Sequence, residues 1–180
     1  MKNYCCTKHK KTFVTPNYIT MKSITIEQAL ERMQKLCSMY EKCTADIRKK
    51  LIEYKIEPVE ITKIIQKLQT SGFIDDERFA CAFARTKHKI AKWGKQKIEF
   101  NLRTKQIPQS IIAKAINEIS DVANIETIKA ELQKKLKTVK AKSKTELAAK
   151  LLQFAISRGY EYSDSYEIIK KLIAEKNNII

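Results

Sequence analysis

Gly72-Phe73-Ile74-Asp75-Asp76-Glu77-Arg78-Phe79-Ala80, followed by Lys92-Trp93-Gly94-Lys95-Gln96-Lys97-Ile98, is the stretch on which the fold of this chain turns. Gly72 closes a helix, since glycine enters the left-handed conformation without steric cost. Asp75 or Asp76 caps the next helix by accepting from its free amides. A metal-binding role for this carboxylate pair gives way to capping, because an apolar-periodic helix begins directly behind it. Phe79, Phe83, Ile90 and Trp93 form one stripe at helical spacing, and Gly94 breaks that helix ahead of another carrying Ile98 and Leu102.

Outward from this seam the pattern repeats. Upstream, Thr25 and Gln28 have capping-box spacing ahead of Ala29, Leu30, Met33 and Leu36. Thr44-Ala45-Asp46 starts a second helix with Ile47 and Leu51 inward, and Pro58 opens a third with Ile61, Ile64, Ile65 and Leu68. Setting Ile47 on Ile98 aligns Leu51 with Leu102, Ile56 with Ile107, Ile61 with Ile112, Ile65 with Ile116 and Leu68 with Ile119. A third, looser block follows with Ile128, Leu132 and Leu136, then Leu147 and Leu151. Its Tyr160, Ser165, Ile169 and Leu172 fall on the same template positions. The expected fold is all-α, with three tandem three-helix repeats forming an elongated, curved array. The expected divisions are a disordered basic arm over 1–23 and repeats over 24–72, 73–122 and 123–180.

Composition narrows the function. The 180 residues carry a formal charge of +16, which favours a polyanionic partner. No apolar run approaches the ~20 residues of a membrane span, so no membrane association is expected. Five cysteines without framework spacing read as reduced thiols of a cytoplasmic protein. Cys5, Cys6 and His9 lack a fourth metal ligand, and His88, between Lys87 and Lys89, reads as part of a solvated helix face. No phosphate loop, nucleophile elbow or metalloprotease helix is present. The expectation is a non-enzyme without cofactor or metal.

The repeats, the Phe73–Ala80 and Lys92–Ile98 segments and Arg158-Gly159-Tyr160 together resemble the RecX family of RecA regulators over about residues 25 to 176. The resemblance implies a small cytoplasmic protein that binds RecA and its nucleoprotein filament, lying in the filament groove. It further implies inhibition of recombinase and coprotease activities, and so a part in DNA repair, recombination and the SOS response. Many members also bind DNA. One departure concerns the glycine between the second and third helices of a repeat, which is Lys55 in the first block and Gln106 in the second. Only the third keeps it, as Gly159.

The candidate RecA- and DNA-contacting residues are cations of the middle block. Arg78, Arg85, Lys89 and Lys92 line up about 120° from the apolar stripe, and Lys95, Lys97, Arg103 and Lys105 extend the positive region. Such alignment suits the phosphates of single- or double-stranded DNA, bound without sequence specificity, or the carboxylates of a partner. Trp93 reads as a core or turn anchor. The run Lys134, Lys135, Lys137, Lys140, Lys142 and Lys144 has two open readings, a phosphate-facing patch or a solvated linker. A monomer is expected. The alternative from another class is a helix-turn-helix transcription factor, although cations spread over several helices do not suit a single base-reading helix.

Overall fold

A computed structural model describes residues 24–177; the basic arm, with Cys5, Cys6 and His9, lies outside the described residues. Nine helices and no strands occupy the described residues: α1 (Ile26–Met39), α2 (Thr44–Glu53), α3 (Pro58–Thr70), α4 (Asp76–Lys89), α5 (Lys95–Thr104), α6 (Gln109–Asn117), α7 (Asp121–Thr138), α8 (Lys144–Ser157) and α9 (Tyr162–Asn177). None of them is long and apolar enough to cross a membrane.

The caps follow the sequence. Thr25 and Gln28 form a reciprocal capping box at α1. Of the two aspartates, Asp75 caps α4, accepting from the amides of Glu77 and Arg78 at 2.9 Å each. Asp76 caps a different helix: its carboxylate accepts from the Thr44 amide at the start of α2, 2.8 Å away.

Three apolar cores lie along the chain, because each group of three helices turns its stripes toward one another. The first gathers Met33, Ile47, Leu51, Ile61, Ile64, Leu68 and, from beyond the Gly72 turn, Phe73 and Ile74. The second gathers Phe79, Ala80, Ala84, Ile98, Leu102, Ile107, Ile112 and Ile119, together with Cys43 from in front of α2. The third gathers Ile128, Leu132, Leu151, Tyr160, Ile169 and Leu172. Ser165 takes the place of Ile61 and Ile112 there, fully buried with its hydroxyl unpaired.

The helix-ending turns share one geometry despite their different residues. Lys55, Gln106 and Gly159 all have positive φ, at 58°, 59° and 82°. In each turn the left-handed residue's amide donates three residues back, as Lys55 does to Ile52, and the next amide donates five back, as Ile56 does to Leu51. The same frame closes α3 at Gly72. This is the Schellman arrangement, which satisfies carbonyls that a helix end leaves free. The missing glycines at 55 and 106 leave the turn unchanged.

Two expectations for α4 need correction. The helix stops at Lys89, so Ile90 is 78% exposed rather than part of the buried stripe. The left-handed Lys92, at φ 55°, takes Trp93 out of the helical register. His88 is not on a solvated face. It is 8% exposed, with Nδ1 donating to the Trp93 carbonyl at 3.0 Å and Nε2 lying 3.3 Å from the Thr127 hydroxyl on α7. The buried face of α4 is therefore Phe79, Ala80, Ala84 and His88.

Candidate interaction surface

Most of the middle-block cations are held by the chain itself. Arg78 Nε donates to Glu41 at 2.9 Å and its guanidinium reaches the Gly72 carbonyl at 3.2 Å. Arg85 pairs with Glu118 at 2.8 Å, Lys95 with Asp121 at 2.8 Å and Arg103 with Glu99 at 2.6 Å. Lys105 reaches both carboxylate oxygens of Asp46, at 2.7 and 2.9 Å, and lies over the Phe79 ring. Lys97 donates to the Ser157 carbonyl at 2.9 Å and sits 4.8 Å from the Trp93 ring centre. Among the described residues, only Lys89 and Lys92 of the eight lack such a hold, their ammonium groups having no carboxylate within 4.0 Å.

Arg85–Glu118 and Arg103–Glu99 stay within the middle unit, and Lys95–Asp121 ties α5 to the start of α7, while other contacts form two joints. The first joins α1 and α2 to α4 and α5, through Thr44 to Asp76, Glu41 to Arg78 and Asp46 to Lys105. The second joins the α4–α5 turn and the start of α5 to the turn between α8 and α9. The Gly94 amide donates to the Arg158 carbonyl at 2.9 Å and the Gln96 amide to the Gly159 carbonyl at 3.2 Å, satisfying free amides of the α5 N-terminus. Arg158 Nη1 donates to the Ala91 carbonyl at 2.9 Å, and the Tyr160 hydroxyl to the Lys92 carbonyl at 3.1 Å. Both glycines are needed for this approach. A Cβ on Gly94 would stand 2.3 Å from the Gly159 carbonyl oxygen, and one on Gly159 2.3 Å from the Lys97 Cβ. Burial pushes the Tyr160 hydroxyl up to about 12.

Trp93 serves as a turn anchor. It packs edge-on to Phe83 at 6.4 Å, with Lys87 and Lys97 over the ring at 5.0 and 4.8 Å. In the second basic run, Lys134 pairs with Glu131 at 3.0 Å and Lys135 lies over Phe154. Lys150 donates to the Lys140 carbonyl at 2.8 Å, tying the segment to α8. Cys37, Cys43 and Cys81 are free thiols, and burial pushes Cys43 up to about 11. No metal-binding group of His, Cys, Asp and Glu occurs among the described residues.

Sequence reading missed a groove of about 690 Å³ at the first joint, lined by Met39, Tyr40, Lys42, Phe79, Phe83 and Lys87 among others. Met39 lies off the apolar stripe of α1, and Tyr40, though spaced to continue it after Met33 and Leu36, follows the helix end in extended backbone that leaves its side chain 62% exposed, which periodicity does not foretell.

The family model described as RecX, second three-helix domain, matches residues 75–116, and that of the RecX third three-helix domain matches residues 123–171. The regulatory protein RecX of Clostridium acetobutylicum is 32% identical over 142 residues, covering 76% of this chain and 64% of that protein. For that of Listeria monocytogenes the figures are 30% over 115 residues, 64% and 43%. The chain thus spans less than two thirds of the length of these relatives. The crystal structure of a regulatory protein RecX superposes with a TM-score of 0.75 at 27% identity, covering 81% of this chain and 73% of that one. RecX from Lactobacillus salivarius gives a TM-score of 0.72 at 23% identity, covering 83% and 97%.

Proposed function

The chain belongs to the RecX family, and from that premise we propose that it binds RecA and RecA–DNA filaments in the cytoplasm and inhibits their recombinase and coprotease activities. It would thereby modulate DNA repair, recombination and the SOS response, acting as a monomer. The observation that carries this reading is the second joint. The segments behind the family resemblance, Lys92–Ile98 and Arg158-Gly159-Tyr160, meet there backbone to backbone, so the arrangement of units is built from the resembling residues themselves.

Within this reading, Lys89 and Lys92 are the middle-block cations that can meet a phosphate or a RecA carboxylate without first breaking a contact of the chain. Arg78, Arg85, Lys95, Lys97, Arg103 and Lys105 would each have to exchange an internal partner. The test is a pull-down with RecA, with and without single-stranded DNA and nucleotide, alongside inhibition of strand exchange. Capture by the filament and slowed exchange support the proposal. A chain that binds a specific DNA duplex but ignores RecA belongs to the transcription-factor class instead. Replacing Lys89 and Lys92 by glutamine should weaken filament binding, and the salt dependence should flatten by up to about 0.7 log units per lost single-strand phosphate contact. If only affinity falls and bare-DNA binding is unchanged, the two lysines face RecA.

A further inference from the structure

The groove at the first joint has an apolar floor and positive lips. Phe79 and Phe83 stack at 5.8 Å between ring centres to form the floor. Met39 and Tyr40 form one wall and are 59% and 62% exposed, although both are large and apolar. Single exposed hydrophobics are ordinary, but two in succession flanking an aromatic floor make a surface with something to bury.

The charges around it are uneven. Its two carboxylates are already engaged, Glu41 by Arg78 and Asp46 by Lys105. Lys42 and Lys87 have no carboxylate within 4.0 Å among the described residues, and their ammonium groups rest against Tyr40 at 5.6 Å and Phe83 at 5.4 Å. Uncompensated charge at the groove is therefore positive on both sides. Base stacking is poorly served here. Phe79 is almost wholly buried beneath Lys105, and Phe83 already carries Lys87. An aliphatic or aromatic side chain needs no free ring face and can fill the space between Met39, Tyr40 and the floor.

We infer that this groove is a docking site for a segment of a partner protein in which a large apolar residue is flanked by Asp or Glu, the apolar residue entering between Tyr40 and Phe83 and the carboxylates meeting Lys42 and Lys87. The inference rests on the proposed function only for the partner's identity, which that reading assigns to RecA. A buried apolar anchor ringed by polar contacts is how a few residues come to dominate a protein interface, and a volume of this size accepts one or two such side chains.

The full chain is titrated with two short fluorescein-labelled peptides equally rich in Asp and Glu, one with a central Phe-Leu and one with Ser-Ser. The Phe-Leu peptide should bind about ten-fold tighter. Joint replacement Met39→Ser and Tyr40→Ser should erase that difference, and Lys42→Gln with Lys87→Gln should weaken both peptides and flatten their salt dependence. Both wall residues are exposed, and an unchanged thermal melt by circular dichroism verifies that the variant folds. Equal binding of the two peptides, or a preference untouched by the wall variant, overturns the proposal. So does an oligo-dT that displaces the Phe-Leu peptide and itself loses affinity in the wall variant, which would make the groove a nucleic-acid site. With Tyr40→p-benzoylphenylalanine, irradiation on a RecA–DNA filament should label an acidic, apolar-anchored RecA segment; labelling of DNA counts against the groove. Failure of the unmodified chain to bind RecA removes the proposed function, while the peptide titration still decides the groove.

Discussion

The two joints dock equivalent helix starts by different chemistry. At the second joint, the start of α5 meets the α8–α9 turn through amide-to-carbonyl bonds, because Gly94 and Gly159 have no Cβ to hold the backbones apart. In the repeat alignment, the start of α2 occupies the place of α5, and Cys43 and Gln106 stand where Gly94 and Gly159 do. There the contacts pass to side chains: Asp76 caps Thr44, and Lys105 holds Asp46. Where glycine admits close approach the union ends on backbone carbonyls, which accept from amides, from Arg158 and from Lys97, and no carboxylate takes part. Where side chains intervene it is ionic, and screened by salt to the degree that its groups meet water.

The largest effect expected from breaking this contrast is at Gly159. Alanine there would drive a Cβ into Lys97 at a φ of +82°. Overpacking costs about 1–3 kcal/mol and left-handed backbone about 1–2 kcal/mol, so Gly159→Ala should lower stability by about 2–5 kcal/mol in urea unfolding. A loss under about 1 kcal/mol would mean that the two turns do not touch.

Thiol chemistry tests the first joint. Cys43 is fully buried and pushed from 9.0 up to about 11. A group that holds its proton more tightly when folded contributes stability below its unfolded value, and loses it as pH rises through the folded one. In a variant keeping Cys43 as the sole cysteine, alkylation should therefore climb toward pH 11 in the native chain and toward pH 9 in urea. At pH 8 the native rate should be about a hundred-fold lower. Equal rates would place Cys43 outside the core.

Smaller effects sharpen the contrast. Asp76→Ala should cost about 1 kcal/mol through the lost cap of α2, with no change in a probe placed on α9. Gln106→Gly should raise stability by up to about 1 kcal/mol, since relief of left-handed strain is partly offset by the entropy of the unfolded glycine. Smallest of all, a double-mutant cycle on Lys105 and Asp46 should return a coupling of about 0.2–1 kcal/mol that shrinks with added salt. A coupling indifferent to salt would remove the distinction between the joints.

The cores were legible because burial in a helical repeat leaves a period. Ile47 and Ile98, and Leu51 and Leu102, are fully buried as their alignment requires, and Tyr160, Ser165, Ile169 and Leu172 are buried as well. The candidate surface was legible only as a set of cations. Helical angles showed that Arg78 and Arg85 share a stripe, but not that Glu41 and Glu118, 37 and 33 residues away in sequence, would claim them. His88 was misread for the same reason. Its neighbours in sequence are lysines, whereas the groups that satisfy it, the Trp93 carbonyl and Thr127, come from a turn and a distant helix. Periodicity reports which face is buried, while pairing depends on how separate helices meet.

The left-handed turns between the second and third helices of the three units have a consequence for how this fold tolerates substitution. Positions 55, 106 and 159 share one backbone shape, yet only at 159 does another segment lie where a side chain would go. Selection on the turn alone is lenient enough to accept lysine or glutamine. Selection on a neighbour's proximity is not. A saturation library across these sites should therefore be permissive at 55 and 106 and nearly intolerant at 159, so that the glycine marks a neighbour in contact rather than the bend in which it sits.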